Sequence, residues 1–115
     1  MFLTKSNFIH FMDCPCRMWL EKIHPKLVPL VDAALQRIFD QGNLVDEKAR
    51  ELFPDGVTVQ GFNLDGYENT KRALASGANV LYQPTIVADG LSCRADILVR
   101  SGDGWDLPEL KMSTK

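Results

Sequence analysis

The sequence predicts an α+β fold, with N-terminal helices and one long helix packed on a three-stranded antiparallel meander. Three observations predict it. From about residue 30 to residue 52, Val31, Leu35, Ile38, Val45, Ala49 and Leu52 recur at steps of three and four, which is helical spacing. From residue 79 onward the apolar pattern changes to alternation, in "NVLYQPTIVA", "LSCRADILVR" and "WDLPELKM". Between these runs stand Asp89-Gly90 and Asp103-Gly104, pairs that favour tight hairpin turns.

The elements follow in order. "TKSNFIHFM" opens a helix with Thr4 or Ser6 as N-cap, and Phe8, Ile9, Phe11 and Met12 give it an apolar face. "CPCR" interrupts it at Pro15, "MWLEKI" resumes it, and the two prolines of "HPKLVP" mark a connection. The long helix stops at "FPDG". Gly42 lowers helix propensity in its middle, which predicts close packing against the sheet there. "VTVQGF" is a short strand, and "YENTKRALASG" a short helix closed by Gly77. No repeat, low-complexity run or linker divides the chain, so residues 1–115 read as one domain, with a helical segment 1–29 and a core 30–115.

A chain of 115 residues with 45% hydrophobic and 24% charged side chains has the composition of a globular protein with one core. No apolar run approaches the roughly 20 residues that span a bilayer, so no membrane partner is expected. The N-terminus lacks the apolar stretch of a secretory signal, and a cytoplasmic location is the default. A net charge of −2 excludes a strongly basic nucleic-acid binder, although residues 1–29 carry four basic and two acidic side chains. Three cysteines, an odd number, fit reduced thiols or a metal site better than a disulfide framework.

The chemistry concentrates near residue 100. Strand alternation puts Arg94, Asp96 and Leu98 on one face, and Glu109 and Lys111 share a face of the following strand. If these faces coincide, two carboxylates and a lysine meet. A hard cation such as Mg²⁺ or Mn²⁺ relieves the repulsion of the acids, and the lysine can orient a water or balance a phosphate. The same pattern also fits a solvent-facing strip of cross-strand ion pairs. On the long helix, Asp46 falls roughly 40° from the apolar centre and Glu47 roughly 140° away on a helical wheel. A carboxylate on the core side must be paired, hydrogen-bonded or bound to a metal, and Arg50 one turn on is an available partner.

Asp96 followed by Glu109-x-Lys111 resembles the PD-(D/E)xK nuclease signature. "FDQGNLVDEKARELFPDG" with "RADILVRSGDGWDLPELKMST", and the opening "LTKSNFIHFMDCPCRMWL" with its "CPxR"-like segment, resemble the RecB-like branch of that superfamily. That branch includes CRISPR-associated exonucleases and a group of uncharacterised bacterial proteins. The resemblance implies a restriction-endonuclease-like core and a Mg²⁺- or Mn²⁺-dependent nuclease acting on DNA. Asp96 and Glu109 match its metal-binding carboxylates and Lys111 its catalytic lysine. Asp46 stands where RecB-like nucleases often have a histidine, and Glu47 is the alternative. Gln83 stands where a carboxylate is common, and Pro108 where a plain apolar residue is usual. Arg17 is a candidate phosphate contact, or a partner of Glu21. A non-catalytic nuclease-fold module that binds DNA or a protein is the other reading.

The family's fold continues past the lysine with a helix and a strand, so the resemblance implies an N-terminal part of such a protein or a reduced relative. Surface left uncovered by the missing part predicts a homodimer. Cys14 matches an iron–sulfur ligand of the CRISPR-associated relatives, whose other ligands are C-terminal cysteines. A cluster is therefore expected only if a longer chain supplies them. Cys14, Cys16 and Cys93 are expected as buried thiols.

Overall fold

The structure, a computed structural model, describes residues 2–112. Strand β1 (Leu3–Thr4) runs straight into α1 (Lys5–Asp13). Thr4 is the N-cap of α1. Its Oγ1 accepts from the Asn7 N–H at 3.2 Å and Asn7 Oδ1 accepts from the Thr4 N–H at 3.0 Å, a reciprocal capping box that satisfies two donors. Pro15 occupies the first position of α2 (Pro15–Ile23), where its missing N–H costs nothing. A single 3-10 turn, Pro25–Leu27, leads toward α3 (Ala33–Arg50), which Asp32 caps by accepting from the Leu35 N–H at 2.8 Å. Strand β2 (Val57–Thr58) precedes α4 (Asn63–Ala75), which begins before the expected Tyr67 and ends near Gly77 at φ +85°.

The alternating region forms β3 (Val80–Tyr82), β4 (Thr85–Ala88), β5 (Leu91–Arg94), β6 (Ile97–Ser101) and β7 (Gly104–Asp106). The α+β class holds, but the three-stranded antiparallel meander does not assemble as expected. The strands divide between two mixed sheets, β1-β5-β4 and β2-β3-β6-β7. Each gains a parallel edge strand: β1 on β5, which no pattern revealed, and β2 on β3, which lies inside the strand expected at "VTVQGF" but with a pairing that was not expected. Strands of two residues are too short to carry a period. The split falls at Gln83-Pro84, opposite Ala95-Asp96. Gln83 adopts φ +55° and Pro84 has no N–H, so the ladder is reduced there to Gln83 N–H to Asp96 O and Ala95 N–H to Pro84 O, both 2.9 Å. Asp89 and Gly90 both take positive φ, as a type I′ hairpin requires. The second turn centres on Gly102-Asp103, one residue earlier than expected, with Gly102 at φ +58° and Ser101 paired with Gly104.

The core is small. Ala49, Tyr82 and Ile97 form its buried centre, and Phe53, Val80, Val99 and Leu110 pack around it. Tyr82 fastens the end of α3 twice. Its hydroxyl donates to Arg50 O at 3.2 Å and its ring lies 4.8 Å beneath the Arg50 guanidinium. The rest of α3 is different: residues 33–44 are all exposed, and a Cβ on Gly42 would meet nothing within 4 Å. The close approach expected at Gly42 is absent, so that glycine serves no packing role in this structure. A close helix–sheet approach occurs at Gly66 instead, where α4 lies against Thr85 of β4.

Candidate functional site

The bend between β5 and β6 sets Asp96 out of the regular ladder, and the extended segment after β7 returns past it. Asp96 Oδ2 accepts the Leu110 N–H at 2.8 Å. The strand expected to carry Glu109 and Lys111 ends at Asp106, and residues 107–112 form no strand; Leu110 nevertheless packs on the core while its neighbours Glu109 and Lys111 are exposed. Asp96 and the Glu109-x-Lys111 segment are therefore adjacent.

Glu109 is held from two sides. Its Oε1 accepts from Lys5 Nζ at 2.7 Å and lies 3.1 Å from Lys111 Nζ. The hydrogen bond from Lys5, then that from Lys111, hold its carboxyl below the ordinary glutamate range. The same bond raises Lys5, with weaker help from the fields of Cys93 and Asp96. Two carboxylates and two ammonium groups thus share one neighbourhood, a balanced set of four charges. Lys5 was not expected there. Residues 5 and 109 are joined only by the fold: the parallel pairing of β1 on β5 brings the start of α1 to this end of the hairpin. No periodicity in the sequence links them.

The helix carboxylates separate as the wheel placed them. Asp46 is half-buried and Glu47 exposed. Asp46 Oδ2 receives Arg50 Nε at 3.0 Å and an Arg50 terminal nitrogen at 2.9 Å, which is the pair one turn along the helix. Arg17 donates through Nε to Glu21 at 3.2 Å, and a terminal nitrogen meets His10 Nε2 at 3.1 Å. His10 Nδ1 lies 2.7 Å from the other Glu21 oxygen. Arg17, His10 and Glu21 thus form a closed triangle joining α1 and α2, which ties up part of the donor capacity of Arg17. Cys14, Cys16 and Cys93 are exposed, contrary to the buried thiols expected. Cys14 ends α1 and caps α2, a junction that faces solvent because no element covers it among those described.

The donor chemistry can be tested for a hard cation. Asp96 spends Oδ2 and Glu109 spends Oε1, and neither Asp96 Oδ1 nor Glu109 Oε2 has a hydrogen-bond partner among the described residues. Two carboxylate oxygens suit Mg²⁺, which keeps several waters and often takes one or two carboxylates from the protein. No group of three or more His, Cys, Asp or Glu side chains with metal-binding geometry occurs among the described residues. No helix among them is long and apolar enough to cross a membrane. No family model, curated protein or solved structure matches the chain.

Proposed function

We propose that this chain is, or is the N-terminal part of, a metal-dependent DNA nuclease that hydrolyses phosphodiester bonds at Asp96, Glu109 and Lys111. The observation that carries the reading is the 2.8 Å bond from the Leu110 N–H to Asp96, which joins the lone aspartate to the Glu-x-Lys segment. In this reading the Asp96 and Glu109 carboxylates would hold Mg²⁺ or Mn²⁺. A bound divalent cation supplies charge stabilisation at the scissile phosphate and a more acidic water. Lys111, which lies 3.1 Å from the Glu109 carboxylate, would release that contact to face the phosphate or the attacking water. Asp46 would support the site from α3 only by giving up Arg50, with Glu47 as the alternative.

The test is Mn²⁺ binding followed by titration calorimetry, together with Mn²⁺-dependent cleavage of single- and double-stranded DNA. Binding should fall at least tenfold in Glu109→Gln and in Asp96→Asn, and cleavage should disappear in Lys111→Ala. Because Asp96 also accepts a backbone N–H, the exposed Glu109→Gln is the cleaner variant. Mn²⁺ binding equal in all three proteins rejects the metal site.

A second reading, a non-catalytic module that binds DNA or a protein partner, is favoured by one observation. Lys5 and Lys111 already neutralise Glu109, Arg50 neutralises Asp46 and the Leu110 N–H satisfies one Asp96 oxygen, so all three acids have partners without a metal ion. DNA binding without cleavage or Mn²⁺ uptake selects it. A homodimer belongs to either reading, supported by exposed Leu35, Ile38, Phe39 and Leu44 along α3. Light scattering across a dilution series tests it, and a monomer at every concentration rejects it.

A further inference from the structure

Beside Glu109, a cavity of about 170 Å³ opens between the starts of α1 and α4. Its charged lining side chains are Lys5 and Arg94, both cationic, and the lining residues include no carboxylate. Ser6 and Ser92 add hydroxyls. Thr85 forms the floor at 1% exposed, with its hydroxyl turned against Gly66 of α4. A recess lined by Arg94 and by Lys5, the latter paired with Glu109, offers cationic groups to an anion on a chain of net charge −2.

Arg94 is held without neutralising its charge. A terminal nitrogen donates to Gln83 Oε1 at 2.8 Å, and the guanidinium lies 4.6 Å over the Phe62 ring. A guanidinium carries five N–H donors, so most remain for a ligand. Gln83 reaches this partner from a strained backbone position at φ +55°. Phe62 is also the N-cap of α4 and offers no side-chain acceptor, so the positive end of that helix is offset in its first turn only by Asp65. Lys5 lines the cavity and bonds Glu109, linking the recess to the site described above.

We propose that this cavity binds a phosphate of a nucleic-acid strand, next to the phosphate that Asp96 and Glu109 would process, with exposed Phe62 stacking on a base at its rim. The inference rests on the nuclease reading for the path of the strand. The chemistry is that of a phosphate ester: the Arg94 and Lys5 cations and two serine hydroxyls for a tetrahedral oxyanion, with an aromatic face for the attached base. A free phosphate or nucleotide presents the same oxyanion, so the test has arms for each source.

The experiment measures fluorescence anisotropy of a fluorescein-labelled twelve-residue thymidine oligonucleotide with the full chain in EDTA. Neither metal binding nor cleavage contributes under those conditions, so failure of the nuclease reading leaves this measurement intact. Arg94→Gln and Lys5→Ala should each weaken binding about tenfold and lower the salt dependence by about one unit of slope. Phe62→Ala should weaken it about fivefold, with little change in slope. Lys71→Ala, on the exposed face of α4, should leave binding unchanged. Inorganic phosphate and thymidine monophosphate should compete only at concentrations far above the oligonucleotide's own. Unchanged binding in Arg94→Gln and Lys5→Ala, or an equal loss in Lys71→Ala, overturns the site. Tight phosphate binding without oligonucleotide binding overturns its assignment to a strand.

Discussion

Helices α3 and α4 each carry a glycine inside an amphipathic sequence, and the two glycines mean opposite things. In α4, Gly66 is buried and Thr70 bonds into the neighbouring strand: Thr70 Oγ1 donates to Gly66 O at 2.8 Å and accepts the Thr85 N–H at 2.9 Å. A Cβ at Gly66 would collide with Thr85 Oγ1 and lie 2.8 Å from Gly61 O. The glycine is there because two backbones approach. In α3, Gly42 faces open space, and the apolar side chains around it are exposed. The contrast shows that periodicity identifies the face a helix would bury, while only the tertiary arrangement shows whether anything is there to bury it.

The largest expected effect sits where α3 does find a partner. Ile97 is fully buried and packs with Ala49 and Tyr82. Ile97→Ala should cost about 2–5 kcal/mol by urea denaturation, because a cavity opens in a core too small to repack around it. Ile38→Ala, 60% exposed on the same helix, should change monomer stability by less than about 0.5 kcal/mol. A large loss at Ile38 would mean that its face is covered in solution, which would sharpen the dimer proposal.

Next come the glycines themselves. Gly66→Ala should destabilise by about 1–3 kcal/mol, since the new methyl forces α4 away from β4. Gly42→Ala should stabilise by about 0.5–1 kcal/mol, since it removes backbone entropy at a position with no steric conflict. Thermal melts of the two variants should therefore move in opposite directions. Destabilisation by Gly42→Ala would break the comparison by revealing a hidden partner for α3.

How much of this was legible follows from range. Thr4, Pro15, Asp89-Gly90 and Gly77 act on neighbours a few residues away, and each took the role that its local chemistry implied. Asp46 turned inward relative to Glu47, as helical geometry requires, and its partner proved to be Arg50 one turn on. Strand β2 was legible in "VTVQGF", but strand β1 and both parallel pairings were not, because two residues hold no pattern and their partners lie far along the chain. Lys5 was missed for the same reason: it reaches Glu109 across 104 positions through the β1–β5 pairing. The exposed thiols were misjudged from residue type, which reports how often cysteines are buried and not what covers these three.

The smallest expected effect concerns that same long-range contact. The Lys5–Glu109 pair ties the start of α1 to the segment carrying Lys111, as Arg50 and Tyr82 tie α3 to β3, but it does so in solvent. Glu109 is lowered and Lys5 raised, each first through their mutual hydrogen bond. The depressed acid contributes stability above its unfolded value of ~4.3 and loses it as pH falls through the folded value. The raised lysine contributes below its unfolded value of ~10.4 and loses it as pH rises through its folded value. The pair is therefore fully formed between those limits and weakens on both sides. Solvent screening keeps its effect on a thermal melt near the limit of detection. An NMR titration is more sensitive: in Glu109→Gln the Lys5 ammonium should titrate at lower pH than in the parent chain, while Lys111→Ala should leave Lys5 bonded and raised. A Lys5 titration that does not move in Glu109→Gln would show that the two side chains are apart in solution, and that this contact does not tie α1 to the segment carrying Lys111.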